Sequence, residues 1–385
     1  MRRRALSLWL ITACAPAAPD APRDSDDAHD TDAVGHTDLP VACVDPEAPC
    51  DVLPAPADDP ACGAVLRADP DAPFPERLSA LACLAAGDPW MPAEGVVPYD
   101  LATPLFSEGV RKARFWSTSA AAPVDPVPDA PWVFPEGAVV LKVFGHPGAA
   151  VHDRPLEVRV MARLGGAWRF QGYAWDEALA DGVRVDDDLL VTLPDEDDAP
   201  WWFPSARSCP VCHRAEALEV LGPRTAQLAR TVVHEGVRAD QLVALWQAGW
   251  LASLPSAAER AAGWADPHGD APLEQRVRSW LQGNCAHCHR PGGFRPPDLQ
   301  LDLRLDVPLD EMAACDVQAR GRIARGRGPL IAPGDAAGSV IVQRIQAADA
   351  YRMPPDGGRE VDQAFLDDLV RWIDGLEDCT PTAAP

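Results

Sequence analysis

Leu273-Glu-Gln-Arg-Val-Arg-Ser-Trp-Leu-Gln-Gly-Asn-Cys-Ala-His-Cys-His289 decides how the rest of the chain is read. Leu273, Val277, Trp280 and Leu281 recur at helical spacing, so a helix leads straight into Cys285-Ala-His-Cys-His289. The same pattern occurs at Cys209-Pro-Val-Cys-His213. In c-type haem attachment the two thiols of such a segment bond to the haem vinyl groups, and the adjacent His falls beneath the iron. That chemistry assigns Cys209, Cys212, Cys285 and Cys288 as attachment residues, and His213 and His289 as iron ligands. The expected cofactors are two covalently bound haem c groups. Paired Cys-x-x-Cys units also build tetrahedral zinc ribbons, but a ribbon does not need a His directly after each pair.

Outward from this segment, Tyr351-Arg-Met-Pro-Pro-Asp-Gly-Gly358 offers Met353 as the distal ligand of the second haem. Its prolines stiffen the loop, and a thioether ligand favours ferrous iron. Helices are expected over 336–346, with Asp335 as a possible N-cap, and over 362–376, where Phe365, Leu366, Leu369, Ile373 and Leu376 share a face. Residues 224–233 and 239–251 also read as helical. Helix, Cys-x-x-Cys-His, loop, Met and final helix is the plan of a small cytochrome c domain. The sixth ligand of the first haem stays open among His234, Met312, His268, His152, Met161 and no protein ligand. His287 stands between the paired Cys and carries no assigned role.

Upstream the periodicity changes to two. Residues 138–144 and 156–163 alternate, Gly165-Gly166 follows, and 167–175 alternates again, which is a hairpin pattern. Residues 189–193 make a further strand. The expected class is α+β: an antiparallel, sandwich-like β-rich N-terminal domain, then a mostly α-helical cytochrome c-like C-terminal domain. Expected boundaries are 1–13 signal peptide, 14–40 acidic tether, 41–98 Cys/Pro-rich irregular segment with a short helix near 75–85, and 99–205 β-rich domain. The first haem motif with a helical segment then covers 206–270, and the cytochrome c-like part covers 271–379. Most of the thirteen Trp, including Trp132, Trp168 and Trp175, fit the β core, and Trp201 and Trp202 could wall the first haem.

The ends and the charge narrow the class. Met1-Arg-Arg-Arg4, a short apolar stretch and Ile11-Thr-Ala-Cys14 read as a lipoprotein signal with Cys14 lipidated; an ordinary cleaved signal is the plainer alternative. The acidic stretch 20–38 reads as a solvated tether. With 58 acidic and 34 basic residues, a formal charge of −24, the chain is ill suited to bind nucleic acid. Of eleven Cys, six lie outside the lipobox and the two motifs: Cys43, Cys50, Cys62, Cys83, Cys315 and Cys379. An even number suits disulfides in an oxidising compartment, and Cys315 with Cys379 is the favoured pair.

Four stretches carry a resemblance: Tyr99-Asp-Leu-Ala-Thr-Pro-Leu-Phe-Ser-Glu-Gly-Val-Arg-Lys-Ala-Arg-Phe115, Phe134-Pro-Glu-Gly-Ala-Val-Val-Leu-Lys-Val-Phe144, Leu221-Gly-Pro-Arg-Thr-Ala-Gln-Leu228 and Asn284-Cys-Ala-His-Cys-His289. In this order they resemble a family of exported, functionally uncharacterised bacterial two-haem c-type cytochromes, often encoded beside parallel β-helix repeat proteins. The resemblance spans about 75–376 and implies haem at both motifs, without a substrate. The chain departs from the pattern in having Gln227-Leu-Ala-Arg230 where the family has Gln-Leu-Asn-Arg, and in its long tether. The expected function is electron transfer with an unknown redox partner by a lipid-anchored protein of the periplasm or cell surface, on the outer membrane. A two-haem peroxidase-like enzyme and a surface binding module with a redox-active part are the alternatives.

Overall fold

From Arg154 to Leu164 the chain alternates buried and half-buried residues, and from Ala167 to Asp176 it runs back alongside. Gly165 and Gly166 join the strands at φ 63° and 78°, values that favour glycine, and both amides donate to the Glu136 carboxylate. This hairpin supplies two inner strands of a six-stranded sheet.

The computed structural model describes residues 39–107, 109–146, 154–193, 199–213, 220–294, 299–320, 328–355 and 360–380. The signal sequence, Cys14, the acidic stretch 20–38 and His152 lie outside the described residues. The described residues from Pro40 onward form one compact unit.

The Cys/Pro-rich segment contributes β1 (Val41–Ala42), α1 (Ala64–Ala68), β2 (Leu84–Ala85) and β3 (Asp88–Pro92). The main sheet follows as β4 (Val97–Pro98), β5 (Arg111–Ser117), β6 (Val139–His146), β7 (Arg154–Leu164), β8 (Ala167–Asp176) and β9 (Asp181–Val185). These six pair antiparallel in chain order. A two-stranded ribbon, β10 (Leu189–Leu193) and β11 (Ala199–Phe203), leads to the first motif. Then come α2 (Thr225–Leu228), the hairpin β12 (Thr231–His234) and β13 (Val237–Asp240), α3 (Gln241–Gln247), α4 (Ala257–Ala261), α5 (Leu273–Asn284), α6 (Val340–Gln346) and α7 (Gln363–Asp374).

Each face of the main sheet has its own cover. On one face Phe115, Leu141, Val143, Val158, Val160 and Tyr173 pack on Leu66, Leu78, Leu81 and the Cys62–Cys83 disulfide. On the other, Trp116 and Val140 meet Trp132, Phe134, Leu245 and Trp250 at one end. At the other end Phe144 meets Leu156, Val185, Trp201 and Phe203. A separate core holds α5, α6 and α7, where Val277, Trp280, Leu281, Val340, Phe365, Leu369 and Ile373 are buried together.

The expected fold class needs correcting. Strand, at 25%, exceeds helix, at 19%, a large antiparallel sheet dominates, and among the described residues there is no mostly helical C-terminal domain. The described residues between α5 and α6 hold turns and bridges such as Cys315 with Ile331 and Gln318 with Pro329. Pro291, Gly292, Gly293, Pro308, Pro329, Pro333 and Gly334 interrupt any helical run there. The β region is one sheet with a ribbon rather than a sandwich of two large sheets.

Several element boundaries also move. Over 224–233 only Thr225–Leu228 is helical, because Thr231–His234 pairs with β13. The helix expected over 239–251 covers Gln241–Gln247, starting where Asp240 accepts from the amides of Leu242 and Val243. Asp335 is not an N-cap: it accepts from Gly338, and α6 begins after Ser339. The helix expected near 75–85 is a single 3-10 turn, Leu78–Leu81.

Candidate cofactor-binding site

The two motifs form the same turn. At the first, Cys209–Val211 is a 3-10 turn in which the Cys209 carbonyl accepts from the amides of Cys212 (3.2 Å) and His213 (3.0 Å). At the second, the Cys285 carbonyl accepts from Cys288 (3.1 Å) and His289 (2.9 Å). Each turn thereby brings the two cysteines and the following His onto one short stretch of backbone. Gly293 closes the second turn, since a Cβ there would fall 2.2 Å from the Cys288 carbonyl oxygen.

Different elements hold the two turns. Asp188, beside β10, accepts from the Ser205 amide (2.6 Å) and from the Ser208 hydroxyl through both carboxylate oxygens. The second turn continues α5, whose Leu281 carbonyl accepts from Cys285 and Ala286. Trp280 on α5 stacks on Phe365 of α7 with centroids 3.6 Å apart, and its indole N–H donates to Asp362 (2.9 Å).

A strap from the sheet reaches the second motif. Thr103 and Gln227 exchange two hydrogen bonds of 2.8 Å, and the Asn284 side chain accepts from the Phe106 amide at 2.6 Å. A Cβ at Gly283 would come 2.6 Å from Thr103, so glycine lets the strap lie against α5. Three of the four stretches that carry the resemblance meet in this contact.

The turns themselves converge. Ligand atoms of Cys212, His287 and Cys288 all lie within 4.8 Å of one another. The Cys212 thiol is held below its ordinary pKa by a hydrogen bond from Cys288, against the opposing effect of burial, and further by His287 and the charge of His213. Burial pushes Cys285 up to about 12. It pushes Cys209 up to about 11, with Arg159 pulling the other way. Among the described residues these four cysteines lie outside disulfides, and all are half-buried. The other six are paired as Cys43–Cys50, Cys62–Cys83 and Cys315–Cys379, the last being the pair favoured from the sequence.

The structure sorts the remaining candidates. Met353 is half-buried in a turn, its amide donating to the Arg344 carbonyl at the end of α6. Met312 is fully buried in the core around α5. His268 is bound to Asp362, Nε2 to Oδ2 at 3.3 Å, in the α5–α7 network. His234 ends β12 in a surface hairpin. Met161 pairs across β7 and β8 with Phe170, and the Phe170 ring lies 5.5 Å from that of His213. Trp201 is buried against Phe144 and donates to Glu157 (3.2 Å). Sequence reasoning missed His287, whose position between two Cys gave no signal. It also missed the strap residues Thr103, Gln227 and Asn284.

The donor set fits covalently held haem: two pairs of thiols outside disulfides, each followed at once by an imidazole on a shared turn. No family model, curated protein or solved structure matches the chain.

Proposed function

We propose that this chain is an exported, lipid-anchored, two-haem c-type cytochrome that passes single electrons to an unidentified redox partner. The observation that carries the reading is the meeting of two Cys-x-x-Cys-His turns, far apart in sequence, at Cys212, His287 and Cys288. When bound, haem iron supplies one-electron chemistry. In this reading Cys209, Cys212, Cys285 and Cys288 anchor the two groups, and His213 and His289 offer an imidazole nitrogen to each iron. Met353 offers a thioether at the second. The α5–α7 core shields the second site from water, and Trp201 with Phe144 walls the first. Three disulfides suit an oxidising compartment outside the cytoplasm, and no helix among the described residues is long and apolar enough to cross a membrane. The anchor is then the lipid expected at Cys14.

Zinc is the rival, because Cys212, His287 and Cys288 are three suitable ligands within reach of one ion. One preparation separates the two. Made in a host with c-type maturation and extracted with acid–acetone, the chain should retain two haems. A haem-free product carrying zinc would overturn the reading. Met353→Ala should keep both haems, lose the far-red sulfur–iron band and lower one potential; an unchanged band would remove Met353 as ligand.

A further inference from the structure

Like charges directly opposite on neighbouring strands are destabilising. The main sheet nevertheless sets Arg114 opposite Lys142 and Lys142 opposite Arg159, one row across β5, β6 and β7. Lys112, two residues before Arg114, is on the same face. Four basic side chains thus share one patch, in which Arg114 is buried and Lys112, Lys142 and Arg159 are half-buried.

The acids there do not balance them. Glu157 is fully buried and its carboxylate is taken by Arg159 (2.7 Å) and the Trp201 indole. Asp100 lies 3.8 Å from Arg114 but is held closer by Arg230, at 3.0 Å. Among the described residues no ion pair includes Lys112 or Lys142. Arg114 is 6% exposed, and its buried Nη2 has no hydrogen-bond partner. Lys142 and Arg159 both rest on the Phe144 ring, 4.5 Å from its centroid, which offsets part of the charge. Burial, then the charges of Arg114 and Arg159, brings Lys112 down to about 7, and Lys142 is lowered well below its ordinary value mainly by burial.

The row faces the first motif. A Cβ at Gly172, the next position across from Arg159, would lie 3.0 Å from the Pro204 carbonyl, five residues before Cys209. His213 touches Phe170 on the same strand. Arg159 acts electrostatically on both Cys209 and Cys212. A haem held at these thiols by its vinyl edge would carry its two propionates on the opposite edge, across the sheet toward Lys142 and Arg114.

We propose that Lys112, Arg114 and Lys142, the members of the row beyond the Glu157-paired Arg159, form a carboxylate-binding site that receives the two propionates of the haem held at Cys209 and Cys212. The assignment rests on the two-haem reading, so haem stoichiometry is measured first. In the full two-haem chain, Lys142→Met should shift one couple toward the ferric state by about tenfold, ~59 mV for one electron, and leave the other in place. Lys142→Arg should restore it, and Lys112→Met should act in the same direction. In a Cys209→Ser/Cys212→Ser background the sign reverses. There Lys142→Met removes an amine that faces Arg114 and Arg159 with no ion-pair partner and should raise the melting temperature by about 2 °C or more. Unchanged potentials together with a lower melting temperature in both backgrounds would overturn the proposal. If the wild-type chain holds no haem, the two-haem reading has failed and succinate is the probe. A melting rise with succinate in wild type but not in Lys142→Met assigns the row to free dicarboxylates, and no response overturns the row as an anion site.

Discussion

Cys209 follows a ribbon and a loop tied to Asp188, whereas Cys285 caps the C-terminus of a twelve-residue helix packed in its own apolar core. Both nevertheless close with paired amide bonds to the first cysteine carbonyl. The turn therefore belongs to the pentapeptide, and the scaffold sets its surroundings. Under the first turn lie a sheet face with four basic side chains and one buried acid. Beside the second lie Trp280, Phe365 and a strap through Asn284. The thiols register the difference, since burial alone raises Cys285 while Arg159 moderates Cys209.

Removing each pair of thiols in turn tests whether the sites are independent. On the two-haem reading, Cys209→Ser/Cys212→Ser and Cys285→Ser/Cys288→Ser should each leave one haem per chain, measured by pyridine haemochrome and intact mass. Loss of both haems from either double variant would show that the contact at Cys212 and Cys288 makes the turns interdependent, and the comparison would collapse.

The next effect is on stability and is one-sided. Trp280 is 8% exposed, stacks on Phe365 and bonds Asp362. Trp280→Ala should cost about 3–5 kcal/mol in denaturant unfolding. It should loosen the second turn, read as faster alkylation of Cys285 in a haem-free chain, with Cys209 unchanged. Equal acceleration at both cysteines would mean that the two turns share one support.

The contrast also explains what the sequence could reveal. The β7–β8 hairpin was legible because Gly165-Gly166 marks a turn between alternating runs, and α5 and α7 because their apolar residues keep one face. Residues 231–233 were misread as helix because Thr-Val-Val becomes a strand only through pairing with 238–240. The C-terminal domain was expected to be mostly helical, but α5, α6 and α7 are separated by long connections in which, after His289, prolines and glycines favour turns. The motif residues were legible singly; their meeting was not, since no local pattern encodes contact between Cys212 and Cys288. The row of basic residues had one available signal. Lys142 is the lone charge in Val139-Val-Leu-Lys-Val-Phe144, but only the register shows that it faces Arg114 and Arg159.

The smallest expected effect sits beside the second turn and depends on pH. His268 Nε2 is 3.3 Å from the Asp362 carboxylate. The hydrogen bond to Asp362 raises the His268 pKa above its ordinary 6.5, against burial, and the charges of Asp362, Asp266 and Asp368 add to the rise. Arg276 occupies Asp368 at 2.6 Å, which limits that last contribution. A raised folded-state pKa means that His268 stabilises the fold fully below about 6.5 and ceases to as pH climbs through the higher folded value. Asp362 has the opposite sense. Burial opposes its ionisation, but His268, the Phe365 amide and Trp280 hold its pKa below 3.8, so its contribution is lost as pH falls through that lower folded value. The pair should therefore stabilise the α5–α7 core most between about pH 4 and 6.5. His268 is roughly half exposed, so solvent screens the pair, and the melting advantage of wild type over His268→Gln should be on the order of 1 °C at pH 5.5. It should shrink toward zero by pH 8.5 without changing the first turn's alkylation rate. An advantage that persists at pH 8.5 would mean that His268 acts by packing, and that the second turn's support owes nothing to this charge.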